Sequence, residues 1–352
     1  MSGEASWSVN KISVAMATYN GAAYLEQQLE SLANQVLHPG ELVVTDDGSS
    51  DGTLALIEDF ARRAPFPVRL VRNEARLGYR GNFIKNSTIC GCDLIAFCDQ
   101  DDVWHPEKLQ EVSKAFDNPD VLLCYHNARL IDKAGAVTGR ADIAKVSLLN
   151  PPASIHPYTW GLGFLLTFRK SLVQFADLWP DSVDTIEPHN PMAHDMWVYF
   201  LASVFGYIAY MDVDLVDYRQ HGQNTVGFQW APEGRWKRLQ SKAAIGADEY
   251  NRLAKVSRSR QQILEKASMR LDGIWLERAK ASSALYRQYA TMFEERSKIY
   301  SDRNVGTRVK ALQRLVRGGA YGSNNTWGFS YGSLLKDSVM AMSYNALAGP
   351  SV

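Results

Sequence analysis

The chain predicts an α/β fold: a mostly parallel sheet flanked by helices, followed by a basic, mainly helical appendage. Three observations predict it. Short β-branched runs alternate with helical segments through the first half of the chain, the pattern of strands joined by crossover helices. Those runs are apolar on both faces, as strands are when helices cover both sides of a sheet. From about residue 231 the pattern changes to long helical stretches rich in Arg, Lys, Gln and Ala, with few turn signals.

The elements follow in order. Strands are predicted at "ISVAMAT" (12–18), "ELVVTD" (41–46), "PVRLVR" (67–72) and "DLIAFCD" (93–99), with helices near 22–35, 52–63 and 81–89 between them. A helix with Pro106 in its first turn runs to Phe116. "VLLCYHNARLID" (121–132) reads as one or two strands, and "GLGFLLTFRK" (161–170) as a strand leading into a helix. "MAHDMWVYFLASVFG" (192–206) has helical apolar spacing and stops at Gly206, while "YIAYMDVDLVDYRQHG" (207–222) reads as a strand pair. Beyond 231, a packed helical pair is predicted up to about 315, then a Gly/Asn-rich loop, then a short helix near 333–346. The division is a body over 10–230 and an appendage over 231–352.

Composition narrows the class. The 352 residues are 46% hydrophobic and 22% charged, an ordinary globular balance. No apolar run is long enough for a transmembrane helix, and "MSGEASWSVNKIS" lacks the basic-then-apolar order of a secretory signal. Cys90, Cys92, Cys98 and Cys124 have neither zinc spacing nor an evident disulfide framework, so reduced thiols in a cytoplasmic protein are expected. Formal charge is zero, yet residues 231–320 hold 20 Lys+Arg against 9 Asp+Glu, and the remainder 18 against 29. An acidic body with a basic appendage implies that the appendage meets something anionic or joins two subunits as a homodimer. Nucleic acid is the weaker partner, because no DNA- or RNA-reading motif is present.

Ligands of open parallel sheets bind beyond the carboxyl ends of the strands. There the chain places Thr18, Tyr19 and Asn20 after the first strand, Asp46 and Asp47 after the second, and "FCDQDDVW" (97–104) after the fourth. A strand–turn–helix joint explains Gly48, the serines and Asp51 in "TDDGSSDGT", but not two adjacent acids at the strand tip. Asp47 is suited to accept the imide N–H of a uracil or thymine ring. Asp99, Asp101 and Asp102 supply hard oxygen ligands of the kind that Mn2+ or Mg2+ takes together with substrate phosphates. Asp101 is the candidate ligand; Asp99 is assigned to the ribose or a metal-bound water. Asp195 in "HDMW" is either a helix N-terminal charge or a general base toward an acceptor hydroxyl. In "YRQHGQNTVG" (218–227), His221 is a candidate metal or diphosphate ligand and Arg219 a phosphate contact.

In this order these stretches resemble family 2 glycosyltransferases of the GT-A fold. "ATYNGAAYLEQQLESLANQ" resembles the family's opening, "VVTDDGSSDGT" its nucleotide-binding turn, and "FCDQDDVWHPEKL" its metal-binding DxD element. "YRQHGQNTVG" resembles the later histidine element of a rhamnosyltransferase-like branch that builds bacterial surface polysaccharides. The similarity covers roughly residues 10–230.

The resemblance implies that Thr18, Tyr19 and Asp47 hold the nucleoside and that Asn73, Gly78 and Asn82 form the loop beside it. It also implies ribose contact at Asp99, metal at Asp101, base catalysis at Asp195, and metal or diphosphate at His221. The donor implied is a dTDP- or UDP-sugar, the acceptor a glycan or lipid-linked saccharide, and the reaction an inverting transfer. Where this chain has His194-Asp195, many relatives have Glu-Asp. The competing readings are a sugar-phosphate nucleotidyltransferase, which would favour a Lys-bearing Gly-rich loop that "MATYNGAAY" lacks, and a non-catalytic nucleotide-sugar or lipid-surface binding protein. A nicotinamide-dependent oxidoreductase is disfavoured, since no G-x-G-x-x-G follows the first strand.

Overall fold

The computed structural model describes residues 11–141, 147–221, 246–322 and 329–343. Two compact units emerge. The first comprises the chain up to Ile155, then Thr159–Asp177, and the chain from Ala193 to Trp230. The second comprises His156–Tyr158, Leu178–Met192 and the chain from Ala231 onward.

The first unit is built on a ten-stranded sheet. Strands β1 (Ile12–Thr18), β2 (Glu41–Asp46), β3 (Val68–Arg72) and β4 (Leu94–Cys98) are parallel and stand in the order β3-β2-β1-β4. Helices α1 (Ala22–Ala33), α2 (Thr53–Arg63) and α3 (Gly78–Ile89) make the crossovers. Because β1 pairs with β2 on one side and β4 on the other, chain order reverses at β1, which opens a crevice at the strand tips. The four strand positions agree with those read from the sequence. Helix α3 begins three residues earlier than the predicted residue 81, at Gly78.

Beyond β4 the sheet is mixed, and here the short-range pattern was least informative. The two-residue strand β5 (Val103–Trp104) precedes α4 (Lys108–Ala115). Strand β6 (Val121–Ile131) is a single long strand, followed by β7 (Val137–Ala141) and β8 (Leu149–Asn150). A 3-10 turn at Gly163–Leu165 leads into β9 (Leu166–Arg169), which is antiparallel to β4 and β6. Further 3-10 turns, Lys170–Asp181, replace the helix predicted after it; Pro180 lacks the N–H that a longer α-helix would use. Helix α5 (His194–Phe205) is capped at Gly206 as expected.

The predicted strand pair at 207–222 is instead one strand, β10 (Tyr207–Arg219), parallel to β6. Its polar centre, "MDVD", is absorbed by register shifts between Met211 and Asp214 and between Asp214 and Asp217, so the chain bulges and continues as one strand. The residues of "YRQHGQNTVG" after His221 lie outside the described residues, as do 231–245, 323–328 and the end of the predicted last helix.

The second unit contains α6 (Ala247–Ser268), α7 (Gly273–Ser301), α8 (Val305–Arg317) and α9 (Tyr331–Met342). Where a helical pair was predicted over 231–315, the described residues hold three helices. The missed stop is Asn304, whose side chain accepts from the amides of Gly306 and Thr307 at 2.8 and 3.3 Å and caps α8. Arg258 of α6 grips Glu294 of α7 through two nitrogens at 3.0 and 3.1 Å. Buried Arg260 stacks on Tyr158 and Tyr286 and donates to the Pro157 carbonyl.

Candidate active site

The tip of β2 is saturated with donors. Asp46 accepts from the amides of Gly48 and Ser49 and from the hydroxyls of Ser49 and Thr18, at 2.6 to 3.1 Å. Gly48 makes the turn at φ +87°, a conformation glycine adopts without a Cβ penalty. Asp47 is also buried. Its Oδ1 accepts from Asn73 Nδ2 at 3.0 Å and the Leu77 amide at 2.7 Å, and its Oδ2 from the Gly78 amide at 2.7 Å. Asn82 Oδ1 takes another hydrogen of Asn73, and Asn82 Nδ2 donates to the Thr45 carbonyl. Asn73, Gly78 and Asn82 therefore do gather around Asp47. Each helps to order the loop that carries it, at the N-terminus of α3, where a carboxylate is favoured.

Tyr19 lies on the open side of this tip. The Arg76 guanidinium covers its ring at 3.9 Å, and Gln100 clamps its backbone from both sides, at 3.0 Å to the amide and 3.2 Å to the carbonyl. Asn20, at φ 48°, accepts from the Ser50 amide and donates its own amide to Ser49 Oγ.

The tip of β4 is the opposite case. Ligand oxygens of Asp99, Asp101 and Asp102 lie within 4.8 Å of one another. Asp102 is fully buried; its Oδ1 accepts the Arg219 amide at 3.0 Å, and its Oδ2 has no partner. Burial first, then the Asp101 and Asp99 charges, push Asp102 well above the ordinary carboxylate range. Asp99 is raised too, by burial, Asp101 and Asp195, in that order. Two half-buried carboxylates beside a buried one with an orphaned oxygen, their charges mutually unfavourable, fit a hard divalent cation: the donors are all oxygens, and a cation removes the repulsion. His221 joins from β10, with Nε2 at 2.7 Å from Asp101 Oδ2 and its ring stacked on Tyr24 at 4.9 Å.

Arg219 is placed differently from an open phosphate contact. It is buried and donates to the carbonyls of Asp101, Asp132 and Lys133 and to Gln27 Oε1. This guanidinium holds the acidic turn in shape. Lys108 lies behind the same turn, fully buried, with Nζ over the Trp104 ring and 2.6 Å from the Phe164 carbonyl. Burial lowers it to about 7. Arg76, Gln100 and Lys108 escaped the sequence reading of the site. Gln100 sits inside the quoted octet, whereas nothing local marked Arg76 or Lys108 among helix and loop cations.

Asp195 occupies the first turn of α5, half-buried, accepting the Met196 amide at 2.7 Å. Its charge is among those that raise Asp99, after burial and Asp101. His194 turns the other way. It stacks on Phe83 at 4.0 Å and meets Phe97 edge-on at 4.8 Å, and both ring nitrogens are buried without partners. Burial, then Arg80, depress it to about 3, so the ring is neutral. A Cβ on Gly163 would lie 2.5 Å from His194 Nε2, so any larger residue there would have to displace the ring.

A crevice with carboxylates at the tips of β2 and β4, on either side of β1 in a mixed sheet of strand order β3-β2-β1-β4-β9-β6-β10, defines a GT-A fold. Among solved structures, the chain resembles S. aureus TarS 1–349 in complex with UDP: TM-score 0.51 at 18% identity, over 96% of this chain and 82% of that one. The UDP-GlcNAc complex of the same protein gives 0.50 at 16%, over 89% and 93%. Residues 13–169 match the model described as Glycosyl transferase family 2.

Among curated relatives, an uncharacterized glycosyltransferase of Nostoc is 28% identical over 61% of this chain and 66% of its own length. The dTDP-rhamnosyl transferase RfbG of Shigella flexneri is 29% identical over 64% and 78%. An uncharacterized Mycobacterium tuberculosis protein is 28% identical over 60% and 59%. The match thus spans somewhat under two thirds of the Nostoc and mycobacterial proteins.

Proposed function

We propose that this protein is a metal-dependent, inverting glycosyltransferase. It moves a sugar, rhamnose or another hexose, from a dTDP- or UDP-sugar to a hydroxyl of a glycan or lipid-linked saccharide in bacterial surface polysaccharide synthesis at the cytoplasmic face of the membrane. The observation that carries the reading is the convergence of Thr18 and Asp47 with the Asp99–Asp101–Asp102 cluster at three adjacent strand tips, with Asp195 acting on Asp99. The dTDP-rhamnosyl transferase among the relatives supports the donor class. We assign the catalytic domain to 10–230 and the appendage to 231–352.

In this reading the nucleoside lies against Tyr19, with Thr18, Asn20 and the Asp47 loop of Asn73, Gly78 and Asn82 ordering its pocket. Asp99 faces the ribose side. Asp101, with His221, would hold Mn2+ or Mg2+, which when bound offsets charge on the departing diphosphate. Arg219 keeps the Asp101–Asp102 backbone in register. Asp195 takes the proton from the acceptor hydroxyl; that oxygen bonds to the anomeric carbon as the bond to the diphosphate oxygen breaks. The electron pair leaves with the nucleoside diphosphate, and one displacement inverts the carbon.

The test is a thermal-shift screen of nucleotide sugars with and without Mn2+, followed by turnover with the best donor. A donor that binds the folded chain raises its melting temperature. Asp195→Ala is expected to lose at least about 10²-fold in turnover while keeping that shift. Wild-type turnover by this variant removes Asp195 from the role, and release of diphosphate from a nucleoside triphosphate would instead support nucleotidyl transfer.

A further inference from the structure

Helix α9 is amphipathic in a direction that its own unit does not use. It buries Asp337 and Ala341. On the opposite side Tyr331, Leu335, Val339 and Met342 are 65%, 69%, 58% and 66% exposed. Their spacing of four, four and three residues lines them along one stripe. This orientation is locked. The buried Asp337 carboxylate receives Arg296 at 2.8 Å and the hydroxyls of Tyr300 and Tyr321 at 2.6 Å each. Arg308 of α8 donates to the carbonyls of Ala341 and Ser343 at the helix end. Rolling the stripe inward would strand a carboxylate with three donors, so the apolar face stays outward.

The neighbouring helix supplies charge. Lys310 and Arg317 are exposed, seven residues apart on one side of α8, and Arg303 is exposed just ahead of it. None of the three has an ion-pair partner among the described residues. No acid accompanies the apolar stripe on the exposed side of α9.

We propose that α9 is an interfacial anchor: its apolar stripe lies among the headgroups and upper acyl chains of an anionic bilayer, with the α8 cations against lipid phosphates. An exposed apolar stripe on one helix, with unpaired Lys and Arg exposed on the helix that packs against it, is the combination that holds such an element at an anionic surface. A second copy of the chain is a poorer occupant. A twelve-residue helix is about 18 Å long, and a strip one helix wide falls well short of the roughly 800 Å² per partner that a stable dimer interface buries. This extends membrane contact from the basic 231–320 segment to a defined apolar element beyond it.

The test uses the full chain without substrate, so it stands apart from the glycosyltransferase reading. Sedimentation with phosphatidylglycerol vesicles is compared with phosphatidylcholine vesicles, at low salt and at about 0.5 M. Wild type is expected to prefer the anionic vesicles and to weaken at least about tenfold at high salt. The Leu335→Glu/Val339→Glu variant should lose at least about tenfold in vesicle binding at an unchanged melting temperature. Lys310→Glu/Arg317→Glu should weaken anionic binding alone, and Leu335→Gln, the mildest change, should weaken it partially. Absence of wild-type binding to phosphatidylglycerol, or full binding by the stripe variants, overturns the proposal. A wild-type dimer by light scattering that Leu335→Gln converts to monomer overturns it in favour of a second copy.

Discussion

The β2 tip and the β4 tip carry the same residue type in the same place on the same sheet, yet they are opposites. At β2, Asp46 takes four donors and Asp47 three. At β4, three carboxylates crowd within 4.8 Å, and one buried oxygen has no donor among the described residues. The first arrangement lowers the energy of the folded chain by itself. The second raises it and becomes favourable only when something positive arrives. Acids whose hydrogen bonds are complete hold the β2 tip in shape; the acids at β4 are left in conflict with one another.

Substitutions at the two tips sharpen this contrast. The largest effect is expected at the frame. Asp46→Ala strips the acceptor from two backbone amides and two hydroxyls, and should cost about 3–5 kcal/mol in urea unfolding. Asp101→Asn should do the reverse. Turnover falls at least about 10²-fold, equivalent to about 2.7 kcal/mol of barrier. The melting temperature of the metal-free protein stays level or rises, since like charge has been removed. Equal stability losses at both tips would erase the distinction.

A smaller effect belongs to His194, next to Asp195 in the chain but turned into the aromatic core. Its folded-state value, about 3, lies below the ordinary 6.5, so the unfolded chain binds a proton that the folded chain refuses. Stability therefore falls as pH drops through 6.5. From about pH 7.5 to about pH 5 this one ring costs about 2 kcal/mol. His194→Leu should flatten that part of the stability–pH curve by a similar amount. An unchanged slope would mean the ring is not buried neutral.

Much of the crevice was legible beforehand. The four parallel strands, their crossover helices and the acids at their tips follow from local alternation, because each element carries its own periodicity. The later strands were harder. β5 and β8 have two residues each, too few for any pattern, and β10 read as two strands because a bulge and a turn use the same polar residues. Asn73 and Gly78 were named for the nucleotide loop. Their grip on Asp47 was invisible, since a sequence does not show which acid a distant amide will meet.

What the chain alone determined is the kind and order of its parts: strands that end in acids, a helix that opens on His194-Asp195, and a basic helical end. Which acids are satisfied was decided only in three dimensions. The donors to Asp47 come from up to 31 residues away and the donor to Asp102 from 117. Packing likewise turned His194 into the aromatic core, buried Arg219 among carbonyls and set the apolar stripe of α9 facing outward. Each outcome depends on partners remote in sequence, and burial makes a missing or gained partner decisive.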